Sequence, residues 1–311
     1  MPTMFRFSSP PCIGLEITSR TVKLGVLPSN GNPSERPIAK AVPLSAGMVG
    51  EAFALPNIRD VDGLASLLRE ALRELAPLKT RRLGLSLPDT IFRVQNLEFD
   101  ELPNRKADRD RLVRWRVEKA AAFDATNTVL RYQVLPRESG GYAVLACMAK
   151  QDVLNQYEDL ALGLGYDPWS IGPASFYALN FYYPSLQARG IAGFAFAWVT
   201  DSSYAVVAAG RGAPRFYRCK EIRQGAVDAK DRVLRELEDS VHFYAHLDRQ
   251  QQSEIGHLFL AGDASMLAPL ADDLKNVLTL EVEVLSLSTV LQGAEGAPDS
   301  FSSVFGSGGT E

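Results

Sequence analysis

The pattern of apolar and polar positions divides the chain into two halves that begin alike. Residues 13–17 and 21–27 are rich in β-branched side chains and flank the polar pair Thr18 and Ser19, which predicts a β-hairpin. The segment FAFAWVTDSSYAVVAAG, starting at Phe194, repeats the order of strand, polar turn and strand, and RFYRCKEI predicts a third strand after it. The two hairpins therefore form a weak internal repeat.

Helices alternate with further strands along the rest of the chain. Apolar residues at helical spacing predict helices over 59–76, 107–123, 152–163, 175–183, 227–247 and 266–278. Strands are predicted for LGLSLP, IFRVQNLEF, TVLRYQVLP, YAVLACMAK, HLFLAG and LEVEVLSL. Because hairpins alternate with crossover helices, we expect a layered α/β fold. From Gln292 onward the composition predicts a disordered tail.

Composition narrows the classes of function. The chain has 311 residues, 46% of them hydrophobic, which is enough for a large core and for about two domains. Its net charge of −4 gives no reason to expect a nucleic-acid partner. Three widely separated cysteines favour a reduced compartment, and the longest apolar run is too short to cross a bilayer. We therefore expect a cytoplasmic protein without a membrane span.

Neither a metal centre nor a catalytic constellation is predicted. His242 and His246 stand four residues apart on a predicted helix, a spacing that suits zinc, but the sequence offers no evident third ligand. No pair of carboxylates is singled out as a general acid and base, and the phosphate-loop motif GxxxxGK[ST] is absent. Residue chemistry alone therefore identifies no catalytic residues.

The order of these segments resembles that of the actin-like ATPase superfamily. Within it, the chain is similar to the PilM family of type IV pilus assembly proteins, which is related to FtsA and GspL. The residues that carry the resemblance are IGLEITSRTVKLGVL, LVRWRVEKAAAF, VLACMAKQDVLNQYEDLALGLGYDPWSIGPASFYALN, FAFAWVTDSSYAVV and LFLAGDASMLAPLADDL. Together they span roughly residues 13–290, and their order rather than any single motif makes the case.

The resemblance implies a duplicated, ribonuclease H-like α/β fold. The first half would cover residues 1–185, with subdomain 1A at 1–82 and 165–185 and an inserted 1C-type subdomain at 83–164. The second half would cover 186–291 as subdomain 2A. It would lack subdomain 2B, because only a few residues separate RFYRCKEI from the next predicted helix. Residues 292–311 would form the disordered tail.

The resemblance also assigns positions to a nucleotide site, and these positions are degenerate. In actin-like proteins, glycines in two hairpin turns let backbone amides approach phosphate, and an aspartate in each hairpin orders magnesium or water. Here Glu16 and Thr18 replace the first aspartate and glycine, and Trp198 and Thr200 replace the second pair. The residues assigned to the degenerate site are Glu16, Thr18, Ser19, Lys23, Thr200, Asp201, Ser202, Gly262, Asp263 and Ala264.

The resemblance also implies a binding partner and a cellular location. PilM proteins bind the N-terminal tail of the membrane protein PilN between subdomains 1A and 1C, at the cytoplasmic face of the inner membrane. For this chain, the implied contacts are Arg111, Arg114, Trp115 and Glu118 on a basic helix. Together with the degenerate nucleotide site, this implies a non-enzymatic scaffold with a PilN-like partner, held peripherally at the membrane and without a cofactor. Self-association stays open.

Two alternatives remain at this stage. In the first, the chain is an ATP-binding switch that uses ATP and magnesium through Thr18, Ser19, Lys23 and Gly262. In the second, it is the cytoplasmic module of a GspL-like protein of type II secretion.

Overall fold

A computed structural model describes residues 13–27, 37–73, 80–121, 123–137, 140–210, 213–222, 229–249, 255–262, 264–291 and 299–308. The strands are β1 (Ile13–Ile17), β2 (Thr21–Val26), β3 (Ile38–Pro43), β4 (Arg82–Leu87), β5 (Arg93–Phe99), β6 (Thr128–Pro136), β7 (Tyr142–Lys150), β8 (Asp167–Pro173), β9 (Gly193–Val199), β10 (Ser203–Gly210), β11 (Ala213–Glu221), β12 (His257–Gly262) and β13 (Glu281–Val284). The helices are α1 (Val61–Arg73), α2 (Lys106–Ala120), α3 (Gln151–Gly163), α4 (Ala174–Ala188), α5 (Ala229–Arg249), α6 (Ala264–Val277) and α7 (Ser302–Gly308). None of these helices, within the described part of the chain, has the length and apolar character needed to span a bilayer.

Two five-stranded sheets repeat one topology. Their strand orders are β3-β2-β1-β4-β8 and β11-β10-β9-β12-β13. Each sheet begins with three antiparallel strands and continues with two that run parallel to its first strand. The predicted duplication into two α/β halves is therefore confirmed. The sequence pattern did not predict β3 or β8, which lie at the two edges of the first sheet.

A third, smaller unit is inserted in the first half. Strands β5, β7 and β6 form an antiparallel sheet, and α2 covers one face through Val113 and Val117. The predicted insertion, residues 83–164, is wrong at both ends. Strand β4 pairs with β1 through Leu83 to Ser86, and α3 packs on the first half's core through Val153 and Tyr157. The inserted unit is therefore limited to β5 through β7.

The second half has no room for a further subdomain after its third strand. Strand β11 ends at Glu221 and α5 begins at Ala229, so seven residues connect them. A connection of seven residues is too short to hold a separate subdomain.

Helices α4 and α7 lie between the two sheets and contribute to the apolar contact between the halves. Phe194, Phe196 and Trp198 on the inner face of the second sheet belong to the same buried core as α4 and α7. The prediction of a disordered tail over 292–311 is wrong for its described part, because 299–301 form a 3₁₀ turn and α7 is buried. Residues 292–298 and 309–311 lie outside the described residues.

Small residues let α7 approach its neighbours at backbone distance. A Cβ added to Gly14 of β1 would lie 1.8 Å from the Val304 carbonyl oxygen. A Cβ added to Gly306 would lie 1.9 Å from the Tyr177 carbonyl oxygen on α4. Both are far inside van der Waals contact, and the obstacle in each case is main chain that cannot rotate away. Gly306, one of the glycines on which the prediction of a disordered tail rested, is therefore required by the packing of α7.

A buried carboxylate also joins the halves. Asp89, in the 3₁₀ turn after β4, is 2% exposed. It accepts hydrogen bonds from the Ser175 amide (3.0 Å), the Ser175 hydroxyl and the Tyr217 hydroxyl (2.8 Å). Ser175 lies in the first turn of α4, and Tyr217 belongs to β11 of the second half. Burial raises the pKa of Asp89 to about 6, and these hydrogen bonds lower it only in part.

Substitution Gly306→Ala should destabilise the protein, because the new methyl group would meet the Tyr177 main chain. We expect a loss of about 2 kcal/mol or more in free energy of unfolding, typical of overpacking in a close-packed core. Chemical denaturation measures the loss. The matched control is Gly163→Ala at the end of α3, where a Cβ meets nothing within 4 Å. Equal stability of the two variants would contradict the close packing of α7.

Protonation of Asp89 should make stability depend on pH. Its pKa is raised in the folded protein, so its contribution is complete below the unfolded value of 3.8 and is lost as pH rises through about 6. A shift of about two pKa units corresponds to about 3 kcal/mol. Asp89→Asn cannot ionise, so its stability relative to the natural protein should rise between about pH 4 and about pH 7. Thermal melts over this range measure the difference, and parallel curves for the two proteins would contradict the assignment.

Candidate functional site

The turns of the two first hairpins close in the same way. The Thr18 hydroxyl donates to the Thr21 carbonyl at 3.0 Å and accepts from the Thr21 amide at 3.0 Å. In the second half, the Thr200 hydroxyl donates to the Ser203 carbonyl at 3.0 Å and accepts from the Ser203 amide at 3.1 Å. Each threonine therefore uses its hydroxyl to close its own turn. Thr18 and Thr200, which stand where the resemblance expects glycine, are therefore structurally equivalent.

A carboxylate from a third segment lies between these two turns. Glu51, in the loop between β3 and α1, accepts the Ser19 amide on Oε1 at 2.7 Å and the Ser202 hydroxyl on Oε2 at 2.7 Å. One donor comes from each half of the protein. An anion held by a backbone amide of one turn and a polar group of the other is the arrangement that actin-like proteins offer to phosphate. The side chain of Glu51 supplies that anion here.

The turns also contact each other directly. The Arg20 guanidinium nitrogen Nη1 lies 2.9 Å from Asp201 Oδ2, and the two side chains are 51% and 39% exposed. An ion pair with this exposure contributes at most about 1 kcal/mol. The pair links the two turns, so Asp201 is occupied by a side chain of the opposite turn.

The position of the first magnesium aspartate holds a buried ion pair. Glu16 is 1% exposed and lies 2.8 Å from Lys23 Nζ, its cross-strand neighbour on β2. Lys23 Nζ also lies 3.4 Å from the carbonyl oxygen of Ser300, just before α7. The lysine predicted to contact phosphate is therefore bound to a carboxylate and to the end of the chain.

The equivalent position in the second half is apolar. Trp198 lies two residues before Thr200, as Glu16 does before Thr18, and it is 2% exposed in the core between the halves. An indole has no oxygen with which to order a magnesium shell. The residues present at the two aspartate positions therefore do not fit a magnesium nucleotide.

The single glycine of the third predicted segment has a structural reason. Gly262 has φ +130°, and a Cβ there would lie 1.9 Å from the Val199 carbonyl oxygen. It pairs with Val199 where β12 ends beside β9. Asp263 lies outside the described residues, and Ala264 begins α6. Of the sequence-predicted site residues, Ser19 and Ser202 both donate to Glu51. Asp201 pairs with Arg20, and Glu16 pairs with Lys23.

The four predicted partner contacts share one helix and lie on its exposed side. On α2, Arg111 pairs with Asp108, and Arg114 Nη1 lies 4.0 Å from Glu118 Oε1. Trp115 is 53% exposed, with Lys119 Nζ 5.1 Å from its ring centroid. Phe123, just beyond the helix, packs edge-on against Phe53 of the first half at 5.1 Å. The junction between the inserted unit and the first half therefore lies close to the end of α2.

Sequence reasoning missed Glu51, Asp89 and Tyr217. Glu51 lies 32 positions from Ser19 and 151 from Ser202, in a loop without periodicity. Asp89 follows Pro88 and reads as an ordinary turn residue. Tyr217 lies on a strand that the sequence did predict. Each acts through a contact distant in the chain, so no local pattern identifies it.

Comparisons with known proteins identify solved structures of similar fold. No protein-family model matches the sequence, and no curated protein matches it significantly. Among solved structures, a chain of the PilM–PilN type IV pilus biogenesis complex matches with TM-score 0.77 at 19% identity, covering 96% of this chain and 97% of that one. A Bacteroides thetaiotaomicron protein of actin-like ATPase fold and unknown function matches with TM-score 0.51 at 11% identity, covering 90% and 91% of the two chains. The cytoplasmic domain of EpsL, an inner-membrane component of the Vibrio cholerae type II secretion system, matches with TM-score 0.50 at 11% identity, covering 91% and 93%. The chain therefore has the actin-like ATPase fold.

Proposed function

We propose that this protein is a scaffold of a type IV pilus assembly platform that binds the cytoplasmic tail of a PilN-like membrane protein and does not hydrolyse ATP. The observation that carries the pilus role is the likeness to a chain of the PilM–PilN complex over 96% of its length. Under this proposal the protein lies at the cytoplasmic face of the inner membrane and is held there through its partner.

The contacts in the cleft support a role without nucleotide. A phosphate placed between the two turns has to displace Glu51 from both the Ser19 amide and the Ser202 hydroxyl. The same phosphate meets no free lysine, since Lys23 is paired with Glu16. The position of the second magnesium ligand is filled by Trp198. Under this proposal the protein acts as a scaffold and does not go through a cycle of ATP binding and hydrolysis.

The surface of α2 supports a role in binding. Trp115 is a large exposed aromatic side chain surrounded by arginines, and tryptophan and arginine are the residue types most enriched at binding hot spots. Arg111, Arg114 and Glu118 are held in place by ion pairs along the helix. A partner tail in the groove beside this helix would gain affinity from a few apolar anchors and from backbone pairing.

Replacement of Trp115 should weaken tail binding without unfolding the protein. The side chain is more than half exposed, so Trp115→Ala removes little buried area. We expect affinity for a labelled N-terminal tail of the PilN-like protein from the same genome to fall by about fivefold or more, which corresponds to a loss of about 1 kcal/mol or more. Fluorescence anisotropy measures it.

Phe243→Ala is the matched control for this test, because Phe243 is an aromatic side chain of similar exposure, 54%, on α5 in the second half. It should leave tail affinity unchanged. Absence of tail binding by the natural protein would refute the scaffold proposal, and equal loss in the two variants would place the tail elsewhere.

Calorimetric titration with ATP and magnesium should give no binding up to about 1 mM. Glu51→Gln provides the sharper comparison, because it removes the charge that competes with phosphate while the side-chain oxygen can still accept one of the two hydrogen bonds. We expect this variant to be equally silent, since Trp198 and the Glu16–Lys23 pair remain. Micromolar binding by the natural protein, or binding gained in Glu51→Gln, would favour the ATP-switch alternative.

The second alternative, a cytoplasmic module of a type II secretion platform, draws on the EpsL likeness at TM-score 0.50. Tail titration separates it from the primary proposal, because a GspL-like module is not expected to bind the tail of a PilN-like protein.

A further inference from the structure

A groove lies between the second half and the inserted unit. Its volume is about 540 Å³, within the range of roughly 300–1,000 Å³ usual for ligand clefts. Residues 217–221 of β11 form one wall, the segment leading into β5 forms the other, and Arg232 of α5 lies at the rim. The two walls are strands that stand at the edges of their sheets.

The hydrogen-bond register shows which backbone groups of β11 face this groove. The Ile222 amide donates to the Ser202 carbonyl at 2.7 Å, so residues 222, 220 and 218 point their amides and carbonyls toward β10. Residues 221, 219 and 217 then point theirs in the opposite direction. The Arg215 carbonyl, in the same phase, accepts the Asn96 side-chain amide at 2.7 Å from across the groove. No strand in the described part of the chain pairs with this edge of β11.

Side chains do not cover the edge. Arg218 and Lys220 turn toward α5, where both contact Glu236, Arg218 at 3.6 Å. Tyr217 turns to the opposite face, where its hydroxyl bonds Asp89. Edge strands are commonly protected by a charged side chain, a proline or a covering segment. Within the described residues, the edge between Tyr217 and Glu221 is left open to the groove.

The groove is positively charged in a protein whose net charge is −4. Arg93, Arg218, Lys220 and Arg232 line it against one carboxylate, Glu221. Glu236 of α5 contacts Arg218 and Lys220 and neutralises one further charge. The groove therefore has an excess of two positive charges. Phe92 and Val94 supply apolar surface on the opposite wall.

From these observations we propose that the groove binds an extended acidic peptide segment of a partner protein, which adds as a strand to the free edge of β11. Strand addition supplies affinity through main-chain hydrogen bonds, and the flanking cations select acidic side chains. The site goes beyond the proposed function, because it lies on the second half and is distinct from the α2 surface.

The probe is a fluorescein-labelled decapeptide that alternates valine with glutamate, titrated at low ionic strength against the full chain. We expect saturable binding, with no binding of the matched peptide in which lysine replaces glutamate. Arg232→Glu should weaken binding by about fivefold, as for a reversed charge at a binding rim. The matched control is Arg235→Glu, one turn along α5 and outside the groove lining, which should change affinity by less than about twofold.

Amide hydrogen exchange tests the strand pairing itself. Peptide binding should slow exchange at the amides of 217, 219 and 221, while those of 218 and 220 are already bonded to β10. Absence of binding, equal binding of the lysine peptide, equal weakening in both arginine variants, or protection away from these three amides would each overturn the proposal. Since the α2 surface takes no part, loss of binding here leaves the tail titration with Trp115→Ala unaffected.

Discussion

The main-chain contact between α4 and α7 is the constraint on which the rest of the structure depends. Gly306 lies against the Tyr177 carbonyl, and Gly14 of β1 lies against the Val304 carbonyl, so two helices and a strand meet without intervening side chains. Backbone packed against backbone has no rotamers with which to absorb a shift. The spacing between the two sheets is therefore set at this crossing, and the contacts across the cleft form at the distances it leaves.

The contacts between the two halves differ greatly in the free energy that they contribute to stability. The exposed Arg20–Asp201 pair is worth at most about 1 kcal/mol and is screened by salt. Glu51 makes two hydrogen bonds to partly buried donors, one on each turn, and a charged hydrogen bond of this kind contributes about 1.5–3 kcal/mol. Asp89 is buried with its partners, so loss of either Tyr217 or Ser175 would leave its carboxyl group without one of its hydrogen-bond donors. The two halves are therefore held together more by the contacts of Glu51 and Asp89 than by the exposed ion pair, and separating them requires more than releasing that pair.

Sequence reasoning predicted the repeated hairpins and most helices, because each has a local period. The inserted unit was expected only from the family resemblance, and its bounds were too wide at both ends. Strand β3 was missed because its sequence IAKAVP lies at an exposed edge and shows little alternation. Strand β8 was missed because DPWSIGP begins and ends near proline, which is tolerated only at sheet edges or strand ends. Helix α7 was missed because Gly and Ser typify linkers, although here small residues are what a close crossing demands. Glu51 and Asp89 act through partners distant in the chain, so no window of sequence contains their role.

The duplication places chemically different pairs at equivalent positions of the two halves. On the inner faces of the two sheets, Glu16 stands opposite Lys23, and the equivalent Trp198 stands opposite Ala205. The first pair forms an internal ion pair, and the second fills the same space with one large and one small side chain. A carboxylate placed at position 198 would leave a cavity and bury a charge with no cation opposite, which costs several kcal/mol. The apolar core between the halves therefore depends on Trp198, and a carboxylate at this position would destabilise the protein.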